Sequence, residues 1–386
     1  MKDTADFGWP TKPLGELVDV LDRLRKPITK KDRTAGPYPY YGATGVLDHV
    51  DGYLFDEPLV LIGEDGAKWE AGENSAFAIE GKAWVNNHAH VIRPHRDQVL
   101  DDWLIYYLNG TDLMPFVSGM TVPKLNQGRL REIPIPLPLL EVQQRIVAVL
   151  DEAFEGLARA RAHADANLQN VRDLFTSSLD EVFAQEEWPE FTLQELANED
   201  CSLSYGIVQP GEDVANGLPV VRPVDLGGKI VSPAGLKRVA PERAASYSRT
   251  QLNGTELLLC VRGTTGTISL SSHELRGANV TRGIVPIRFN ERMNRLFGFY
   301  QCQSSFLQKQ ISEKTYGAAL MQINIRDVKT LKLKCPPQTQ QTVAVKRMEK
   351  ISEAHAALLA SATDKIANIN DLRQSLLQRA FAGELT

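Results

Sequence analysis

The chain has 386 residues, of which 43% are hydrophobic and 24% are charged, a composition that is ordinary for globular domains. This length suggests two or three domains with real hydrophobic cores, and no window approaches the ~18 apolar residues of a membrane-spanning helix. The formal net charge of −5 argues at first against a nucleic-acid partner.

The charge is unevenly distributed along the chain. Residues 1–140 carry a net charge of −5, residues 141–187 carry −6, residues 188–335 carry +5 and residues 336–386 carry +1. Positive surfaces attract nucleic acid. Only one globular region, residues 188–335, therefore has the sign of charge that a DNA-binding domain usually shows.

The N-terminal sequence and the cysteines indicate the cellular compartment. The segment MKDTADFGWP lacks the apolar core of a signal peptide, so we expect a cytoplasmic protein. We expect the cysteines to be buried or incidental thiols, because they lie at least 33 positions apart without the paired spacing of a zinc site. They all fall in the second half: Cys201, Cys260, Cys302 and Cys335.

The first globular segment, residues 1–140, is predicted to be mixed and mostly β. Short apolar runs separated by Gly, Asp, Asn and Pro predict strands at 59–63, 77–81 and 90–94. A helical window follows at 102–108. A Gly-bearing loop and a short Pro-flanked strand then lead into a long helix.

A cluster of positive charge lies early in this segment. Residues 23–33, RLRKPITKKDR, hold six cations and one acid, and Pro27 stops a helix there. The segment is either a solvated loop or a mobile loop that contacts phosphates, since clustered cations gain from counterion release. The next run, PYPYYGATG at 37–45, is either a partner-facing loop or a turn with core aromatics; its tyrosines are Tyr38, Tyr40 and Tyr41.

Three histidines lie close together in the sequence. His88 and His90 are two positions apart in NNHAHV, and His95 follows. They could bind a metal from one face of a strand, but no Cys or carboxylate accompanies them at a ligand-like spacing. We therefore favour hydrogen-bonded or DNA-facing histidines and predict no metal site.

Two long helices dominate the chain. Residues 141–183 and 339–381 contain no proline and each follow a Pro-rich run, and each would be on the order of 60 Å long. Apolar residues recur every eleven positions, so two such helices can pack side by side almost straight. The rows of the first helix are Ile146, Leu157, Leu168 and Leu179, then Val149, Ala160, Val171 and Val182, then Ala153, Ala164 and Phe175.

The second helix keeps these rows with two polar exceptions. His355 and Arg373 occupy row positions that the first helix fills with Leu157 and Phe175. We interpret both as polar groups that reach the helix edge rather than as ligands. The rows are Leu358, Ile369 and Ala380, then His355, Ile366 and Leu377, then Ile351, Ala362 and Arg373.

The second globular segment, residues 188–335, repeats the first. The WP pair at 9–10 recurs 179 positions later, whereas the loop at 118–126 recurs 198 positions later at 316–324, so the second segment is longer in its middle. This is a tandem repeat of domain, helix, domain, helix, whose shared ends form a frame and whose divergent middles should carry specificity. Strands are predicted at 220–226, 256–263, 267–271 and 283–289, and a helix at 293–311.

Motifs of common enzymes are missing from the sequence. There is no phosphate-binding GxxxxGK[ST], no GxGxxG after a strand, no nucleophile elbow and no HExxH. The Asn-Pro-Pro-aromatic signature of a DNA amino-methyltransferase is also absent. An enzyme with an unusual motif is therefore the least favoured interpretation.

Several loops carry side chains suited to DNA. The runs VRGTTG and GANVTRG offer hydroxyls, Asn and Arg, and in the major groove Asn pairs with adenine and Arg with guanine. The repeated loops 118–126 and 316–324 should share a role. The candidate DNA-binding residues are Arg23, Arg25, Lys26, Lys30, Lys31, Tyr41, Thr44, Lys68 and Lys124 in the first segment, and Tyr205, Arg262, Thr264, Thr265, Asn279, Thr281, Arg282 and Gln322 in the second.

The whole chain resembles a specificity subunit of a Type I restriction-modification system. WPTKPLGELVDV and WPEFTLQELA resemble the starts of two target-recognition domains, IPIPLPLLEVQQRIV resembles the lead into the first helix, and LLQRAFAGELT resembles the end of the second. The resemblance implies an α+β fold in which the two helices pack as an antiparallel coiled coil. The implied parts are recognition domains at 1–140 and 188–335 and spacer helices at 141–187 and 336–386.

The resemblance also implies a function without catalysis by this chain. Each domain would read one half of a bipartite double-stranded DNA target, and the helices would set the gap and dock two modification subunits. Those subunits would bring S-adenosylmethionine and methylate adenine, and restriction/translocase subunits would join for cleavage, so no cofactor or metal is expected here. The acidic first domain departs from the pattern of a DNA reader, and partner subunits would supply part of the positive field. The main alternative is a two-domain coiled-coil scaffold that binds no DNA.

Overall fold

The computed structural model describes residues 9–119, 121–184 and 187–385. The ranges predicted for the first domain and for both helices extend to residues outside this described part, namely 1–8, 120, 185–186 and 386. The chain divides into two compact units, Met1–Asp165 with Thr363–Thr386 as unit 1 and Ala166–Ala362 as unit 2. Each unit therefore holds one globular domain and about half of each long helix.

The regular elements alternate as the repeat predicts. The first domain contains β1 (Thr11–Pro13), β2 (Val18–Val20), β3 (Tyr38–Gly42), β4 (Gly45–Val50), β5 (Phe55–Asp56), β6 (Leu59–Gly63), β7 (Ala76–Ile79), β8 (Lys82–Val85), β9 (Ala89–Pro94), α1 (Asp101–Gly110), α2 (Gln127–Arg131) and β10 (Pro134–Pro136). The first long helix is α3 (Leu140–Ala184).

The second domain and second long helix follow. They comprise β11 (Glu190–Thr192), α4 (Leu193–Leu196), β12 (Leu218–Val221), β13 (Lys237–Val239), α5 (Pro241–Ala244), β14 (Leu257–Cys260), β15 (Ile268–Leu270), β16 (Asn279–Val280), β17 (Ile284–Ile287), α6 (Arg295–Gln303), α7 (Ser305–Glu313), α8 (Ile325–Lys329), β18 (Lys332–Lys334) and α9 (Gln338–Phe381). No helix in the described part of the chain is both long and apolar enough to cross a membrane.

The two domains share the core of two sheets, which the first domain extends with β2 beside β9 and β5 beside β8. In each, a central strand pairs antiparallel with two neighbours, in the order β7-β6-β9 and β15-β14-β17. A second small sheet contains a hairpin and a parallel pair, in the order β4-β3-β8 and β13-β12-β16. A ribbon joins the ends of each domain, β1 with β10 and β11 with β18. This topology confirms the tandem repeat and the α+β fold.

Some predicted elements were wrong in extent. The window at 293–311 is two helices, because Ser304 adopts an extended ψ of 153° between α6 and α7. The predicted strand at 220–226 ends at Val221, and a 3-10 turn follows at Pro223–Asp225. The run at 37–45 forms β3 and the turn to β4, so its tyrosines lie on a strand.

An aromatic residue at the end of each long helix completes the core of a domain. In unit 1 the ring of Phe381 lies 4.8 Å from that of Trp103 and 5.1 Å from that of Tyr107, centroid to centroid. In unit 2 the ring of Phe183 lies 5.4 Å from that of Phe297. The two phenylalanines are 198 positions apart, so the repeat extends to the packing of the cores.

The two long helices run antiparallel in each unit. In unit 1 the Arg373 guanidinium lies 5.1 Å from the centre of the Phe154 ring. Farther along the first helix, Arg161 donates a hydrogen bond of 3.2 Å to Asn370, which lies earlier on the second. In unit 2 the rings of Phe175 and His355 stack at 4.4 Å. This pairing confirms the predicted antiparallel coiled coil.

The eleven-residue rows are only partly buried. Ala164 and Ala362 are buried as predicted, but Val149 and Leu358 are each 47% exposed and Ala160 is exposed. The reason is that a pair of helices covers only a narrow stripe of each one. The predicted position of His355 at the helix edge was also wrong, because its ring lies flat on Phe175.

A buried glutamine fastens the start of the first long helix to its domain. The Gln143 side chain accepts a hydrogen bond from the Leu100 amide at 3.0 Å and donates to the carbonyl oxygens of Gln98 and Pro138, both at 2.9 Å. It is fully buried. One side chain therefore joins the turn before α1 to the first turn of α3.

The second long helix has the same fastening. The Gln341 side chain accepts from the Asn294 amide at 2.7 Å and donates to the carbonyl oxygens of Arg292 and Pro336, both at 2.7 Å. Gln341 lies 198 positions after Gln143. A glutamine at the same position of the repeat thus forms the same structural joint in both halves.

Three of the four cysteines are buried. They are Cys260, Cys302 and Cys335, and Cys201 is half-buried. Burial raises the pKa of the Cys302 thiol to about 12. This thiol is therefore protonated at neutral pH and packs as an apolar side chain.

The substitution Gln341→Ala tests the joint. It leaves the Asn294 amide and two carbonyl oxygens without their partner, so the free energy of unfolding should fall by about 1–3 kcal/mol. Chemical denaturation measures this loss. The exposed neighbour Gln340 provides the control, since Gln340→Ala should change stability by less than ~0.5 kcal/mol; equal losses would contradict the joint.

The substitution His355→Leu tests the helix contact. Burial, and then the charge of Arg172, lower the pKa of His355, so folding favours its neutral form. The contribution of neutral His355 to the free energy of unfolding is fully present above the ordinary histidine pKa of about 6.5. It is lost as pH falls, because the unfolded chain then binds a proton more readily than the folded one. The melting temperature of the wild-type protein should therefore drop more between pH 7.5 and 5.5 than that of His355→Leu. The exposed His163, replaced in the same way, should not alter the pH dependence.

Candidate nucleic-acid interface

Four segments of the second domain meet at one edge. Backbone hydrogen bonds run from Arg282 to Ile207 at 2.9 Å, from Val261 to Gly283 at 2.8 Å and from Gly263 to Met321 at 2.8 Å. These bonds follow the ends of neighbouring strands. They gather six of the predicted DNA-binding residues: Tyr205, Arg262, Thr264, Thr265, Arg282 and Gln322.

The side chains at this edge are available to a ligand. Tyr205 is 40% exposed and Thr264 is exposed, and Arg262 and Arg282 are half-buried. Within the described ranges, neither arginine side chain makes an ion pair or a hydrogen bond to the protein. Two guanidinium groups beside hydroxyls can therefore donate hydrogen bonds to the acceptor atoms on the base edges of a nucleic acid.

Two of the predicted DNA-binding residues are structural instead. Asn279 is 2% exposed, and its amide accepts from the Thr250 hydroxyl at 2.7 Å and donates to the Tyr247 carbonyl oxygen at 3.0 Å. Thr281 is 8% exposed. The sequence placed both beside Arg282, but residues 279–281 are all buried, so we remove Asn279 and Thr281 from the interface.

In the first domain, the cationic segment 23–33 is held in place. The Tyr40 hydroxyl accepts from the Ile28 amide at 2.9 Å, and the Trp84 indole donates to the Lys26 carbonyl oxygen at 2.6 Å. Arg33 bonds Asp48 at 3.1 Å. The predicted mobile loop is therefore a fixed one, and it leaves four candidate cations exposed: Arg23, Lys26, Lys30 and Lys31.

The remaining candidates of the first domain lie outside that loop. Tyr41 is half-buried with its ring 6.0 Å from that of Phe77. Thr44 is exposed at the turn between β3 and β4. Lys68 is exposed and lies 3.3 Å from Glu73. Tyr41 pairs with Val85 of β8, whose carbonyl oxygen accepts from the Lys26 amide at 3.2 Å, so Tyr41 lies beside the cationic segment.

Five ionisable side chains of the first domain meet in one place, four of them largely buried and Lys124 39% exposed at its side chain. The fully buried His90 places Nδ1 2.7 Å from an Asp22 carboxylate oxygen and Nε2 2.7 Å from the Leu125 carbonyl oxygen. Glu64 accepts from Arg25 at 2.5 Å and from Lys124 at 2.8 Å. We call these residues the charged cluster: Asp22, Arg25, Glu64, His90 and Lys124.

Both carboxylates of the charged cluster stay ionised. Burial alone would raise the pKa values of Asp22 and Glu64, but hydrogen bonds outweigh it. For Asp22 the opposing groups are chiefly His90 and the Val91 amide, and for Glu64 they are Lys124 and Arg25. Both pKa values therefore lie below the ordinary range.

The charged cluster changes two interpretations drawn from sequence. The histidines were thought to lack a carboxylate neighbour, yet Asp22 and Glu64 reach His90, with ligand atoms within 4.8 Å of one another. Arg25 and Lys124 already bond Glu64, so the oxygens that a metal ion would use are taken. Arg25 itself, 12% exposed at its side chain, is an internal ion-pair partner and not a free DNA contact.

Two repeated loops flank the candidate residues. We call 118–126 tip loop 1 and 316–324 tip loop 2. Gly119 and Gly317 have φ values of +95° and +120°, and a Cβ at either would run into the carbonyl oxygen three residues later. Glycine is therefore required at both positions, and the two loops share one backbone shape.

Each tip loop is closed by a pair of backbone hydrogen bonds. Ser118 and Lys124 exchange bonds of 2.9 and 2.7 Å, and Tyr316 and Gln322 exchange bonds of 2.9 and 2.8 Å. The two loops thus carry Lys124 and Gln322 on equivalent, fixed backbone positions.

An exposed apolar side chain stands at the same place in each tip loop. Val122 is 65% exposed in tip loop 1, and Leu320 is 45% exposed in tip loop 2. Met120 lies outside the described residues. Sequence reasoning missed this pair, although the 198-residue repeat aligns the two positions.

Known proteins resemble this chain over most of its length. The family described as Type I restriction modification DNA specificity domain matches residues 7–161 and 185–368. The putative type I restriction enzyme specificity subunit S.HindORF215P of Haemophilus influenzae is 39% identical over 140 residues, which is 36% of this chain and 36% of its own length.

Longer matches have lower identity. The type I restriction enzyme EcoBI specificity subunit of Escherichia coli is 23% identical over 363 residues, covering 87% of this chain and 75% of its own. A solved structure described as "Structural basis underlying complex assembly and conformational transition of the type I R-M system" has a TM-score of 0.69 at 18% identity and covers 98% of both chains. That likeness supports the fold.

The substitution Asn279→Ala tests the structural role of this residue. It removes the partner of Thr250 and of the Tyr247 carbonyl oxygen in a buried place, so the free energy of unfolding should fall by about 1–3 kcal/mol. Denaturant titration measures it. The control is Arg282→Ala, three positions away and without internal bonds, which should lower the free energy of unfolding by less than ~0.5 kcal/mol. An Asn279→Ala protein as stable as the wild type would contradict the structural role of Asn279.

Proposed function

The chain belongs to the family of type I restriction-modification DNA specificity domains, and on this premise we propose that each of its two domains reads one half of a bipartite DNA target. The observation that carries the proposal is the duplicated tip loop beside clustered polar and cationic side chains. Because the frames match and the contact residues differ, the two domains present related surfaces with different chemistry. The two half-sites are therefore different sequences.

The second domain supplies direct base contacts. Arg262 and Arg282 have no internal partner in the described chain, and a guanidinium can bond two acceptors of one guanine. Gln322 sits on the fixed backbone of tip loop 2 and can bond adenine in the same way. The net charge of +5 over residues 188–335 adds attraction to the phosphates.

The first domain approaches DNA through fewer free cations. Arg23, Lys26, Lys30 and Lys31 are exposed on a loop of fixed shape and suit phosphates. The domain is acidic overall, so its own long-range attraction to DNA is weak. Partner subunits contribute the rest of the positive field, and the first half-site is then read only within the complex.

The long helices set the gap between half-sites and dock two modification subunits. α3 is continuous over 45 residues, which corresponds to about 68 Å at 1.5 Å per residue. In unit 2 an apolar groove of about 340 Å³ opens where the end of α3 meets the start of α9. Its lining residues are Val182, Trp188, Thr339, Gln340, Val343, Ala344 and Arg347.

The chain itself performs no chemistry in this proposal. The modification subunits bind S-adenosylmethionine and transfer its methyl group to adenine, and restriction/translocase subunits join the same complex for cleavage. The complex works in the cytoplasm, where it meets chromosomal DNA. The contribution of this chain is the choice of sequence.

Domain exchange tests the proposal. The full chain and a version whose residues 188–335 come from another family member are each expressed with the modification subunits, and the methylated motif is sequenced. One half of the motif should change while the other half and the gap stay constant, because the helices and first domain are untouched.

Two results would contradict the proposal. A change in both half-sites would show that the domains do not read independently. If the wild-type complex neither methylates a specific motif nor shifts duplex DNA at low salt, the protein is the non-DNA scaffold instead.

A further inference from the structure

The charged cluster of the first domain has no counterpart in the second. The bonds that anchor the tip loops, Leu125 amide to Glu64 carbonyl at 2.8 Å and Ile323 amide to Val261 carbonyl at 3.0 Å, place Glu64 and Val261 at equivalent positions. Strand pairing then places His90 where the second domain has Val285. The space beneath the tip loop is therefore ionic in one domain and apolar in the other.

Stability alone does not explain this difference. Burying ions costs desolvation energy, and apolar residues of similar volume often stabilise a fold equally well or better. The second domain shows that the same frame accepts Val261 and Val285 at these places, where both are almost fully buried. The charged cluster of the first domain therefore has a role beyond stability, namely the positioning of tip loop 1.

The bonds of His90 show what is positioned. The Leu125 carbonyl oxygen can only accept, so His90 Nε2 carries a hydrogen. Nδ1 lies 2.7 Å from an Asp22 carboxylate oxygen. His90 thus ties tip loop 1 to the 3-10 turn Asp22–Leu24.

A second tie holds the same loop. Lys124 of tip loop 1 bonds Glu64 at 2.8 Å and approaches Asp65 at 3.7 Å. Gln127, just after the loop, donates to Asp22 at 3.1 Å. Tip loop 1 is thereby held by polar and ionic bonds through His90, Lys124 and Gln127. At the equivalent positions beneath tip loop 2 the second domain has the buried Val261 and Val285.

We propose that the charged cluster positions tip loop 1 for reading the first half-site, with His90 as the central positioning residue, and that the second half-site does not depend on it. This inference rests on the proposed function. The ligand is the base sequence of the first half-site in duplex DNA. His90 does not touch that DNA and acts through Leu125 and Asp22.

The test measures methylation of target duplexes by the full chain with its modification subunits. One duplex carries the intact target, a second carries one changed base pair in the first half-site, and a third carries one in the second. The ratio of the rates gives the discrimination at each half-site. We compare the wild-type chain with His90→Val, His90→Gln and, as the matched change in the other domain, Val285→Ala.

His90→Val should lower discrimination at the first half-site about tenfold, which corresponds to 1.4 kcal/mol, and leave the second within twofold. His90→Gln, which can keep one of the two hydrogen bonds, should give an intermediate loss. Val285→Ala should leave the first half-site unchanged. Melting curves establish that each variant is folded.

Rescue by His90→Gln separates positioning from a general loss of stability. A general loss of stability would lower the methylation rates on all three duplexes together, whereas a loss of positioning lowers discrimination at the first half-site only. The comparison of His90→Gln with the wild-type chain still decides the matter if His90→Val fails to fold.

Equal losses at both half-sites would overturn the positioning role and leave the cluster merely structural. A wild-type complex that methylates no specific motif would instead overturn the proposed function. The two failures are thus distinguishable in one set of assays.

Discussion

The start of each long helix is fixed to its own domain by one buried glutamine, and the rest of the architecture depends on that joint. Gln143 and Gln341 each use both ends of the amide, accepting from a backbone amide before a helix and donating to two carbonyl oxygens. Such groups are costly to leave unpaired in the interior. Each glutamine therefore fixes the direction in which its helix leaves its own domain.

Duplication preserved this frame and changed what it contains. The strand orders β7-β6-β9 and β15-β14-β17 agree, and the tip loops share a required glycine. Beneath those loops the first domain holds ions and the second holds valines. The same backbone therefore supports two kinds of interior. Because the interior can change while the backbone stays the same, two duplicated domains can come to recognise two different half-sites.

Periodicity and repetition predicted the frame because they are local or regular signals. The long helices and the strand at 59–63 were evident from spacing alone, whereas β3 was obscured by prolines and small residues. Exposure is a tertiary property, so Asn279 and Arg25 resembled DNA contacts until the fold placed them inside. The partners of His90 lie 68 positions away at Asp22 and 35 positions away at Leu125. Contacts at such distances along the chain follow no regular spacing, so the sequence did not predict them.

The aromatic residues that end the long helices have a consequence for biosynthesis. Phe183 belongs to a unit that is continuous in sequence, Ala166–Ala362, whereas Phe381 completes a core whose other members, such as Trp103 and Tyr107, leave the ribosome hundreds of residues earlier. The core of unit 1 therefore cannot be completed until the end of the second long helix is made. Because every residue of unit 2 precedes Thr363, we expect unit 2 to be able to complete its core earlier during synthesis than unit 1.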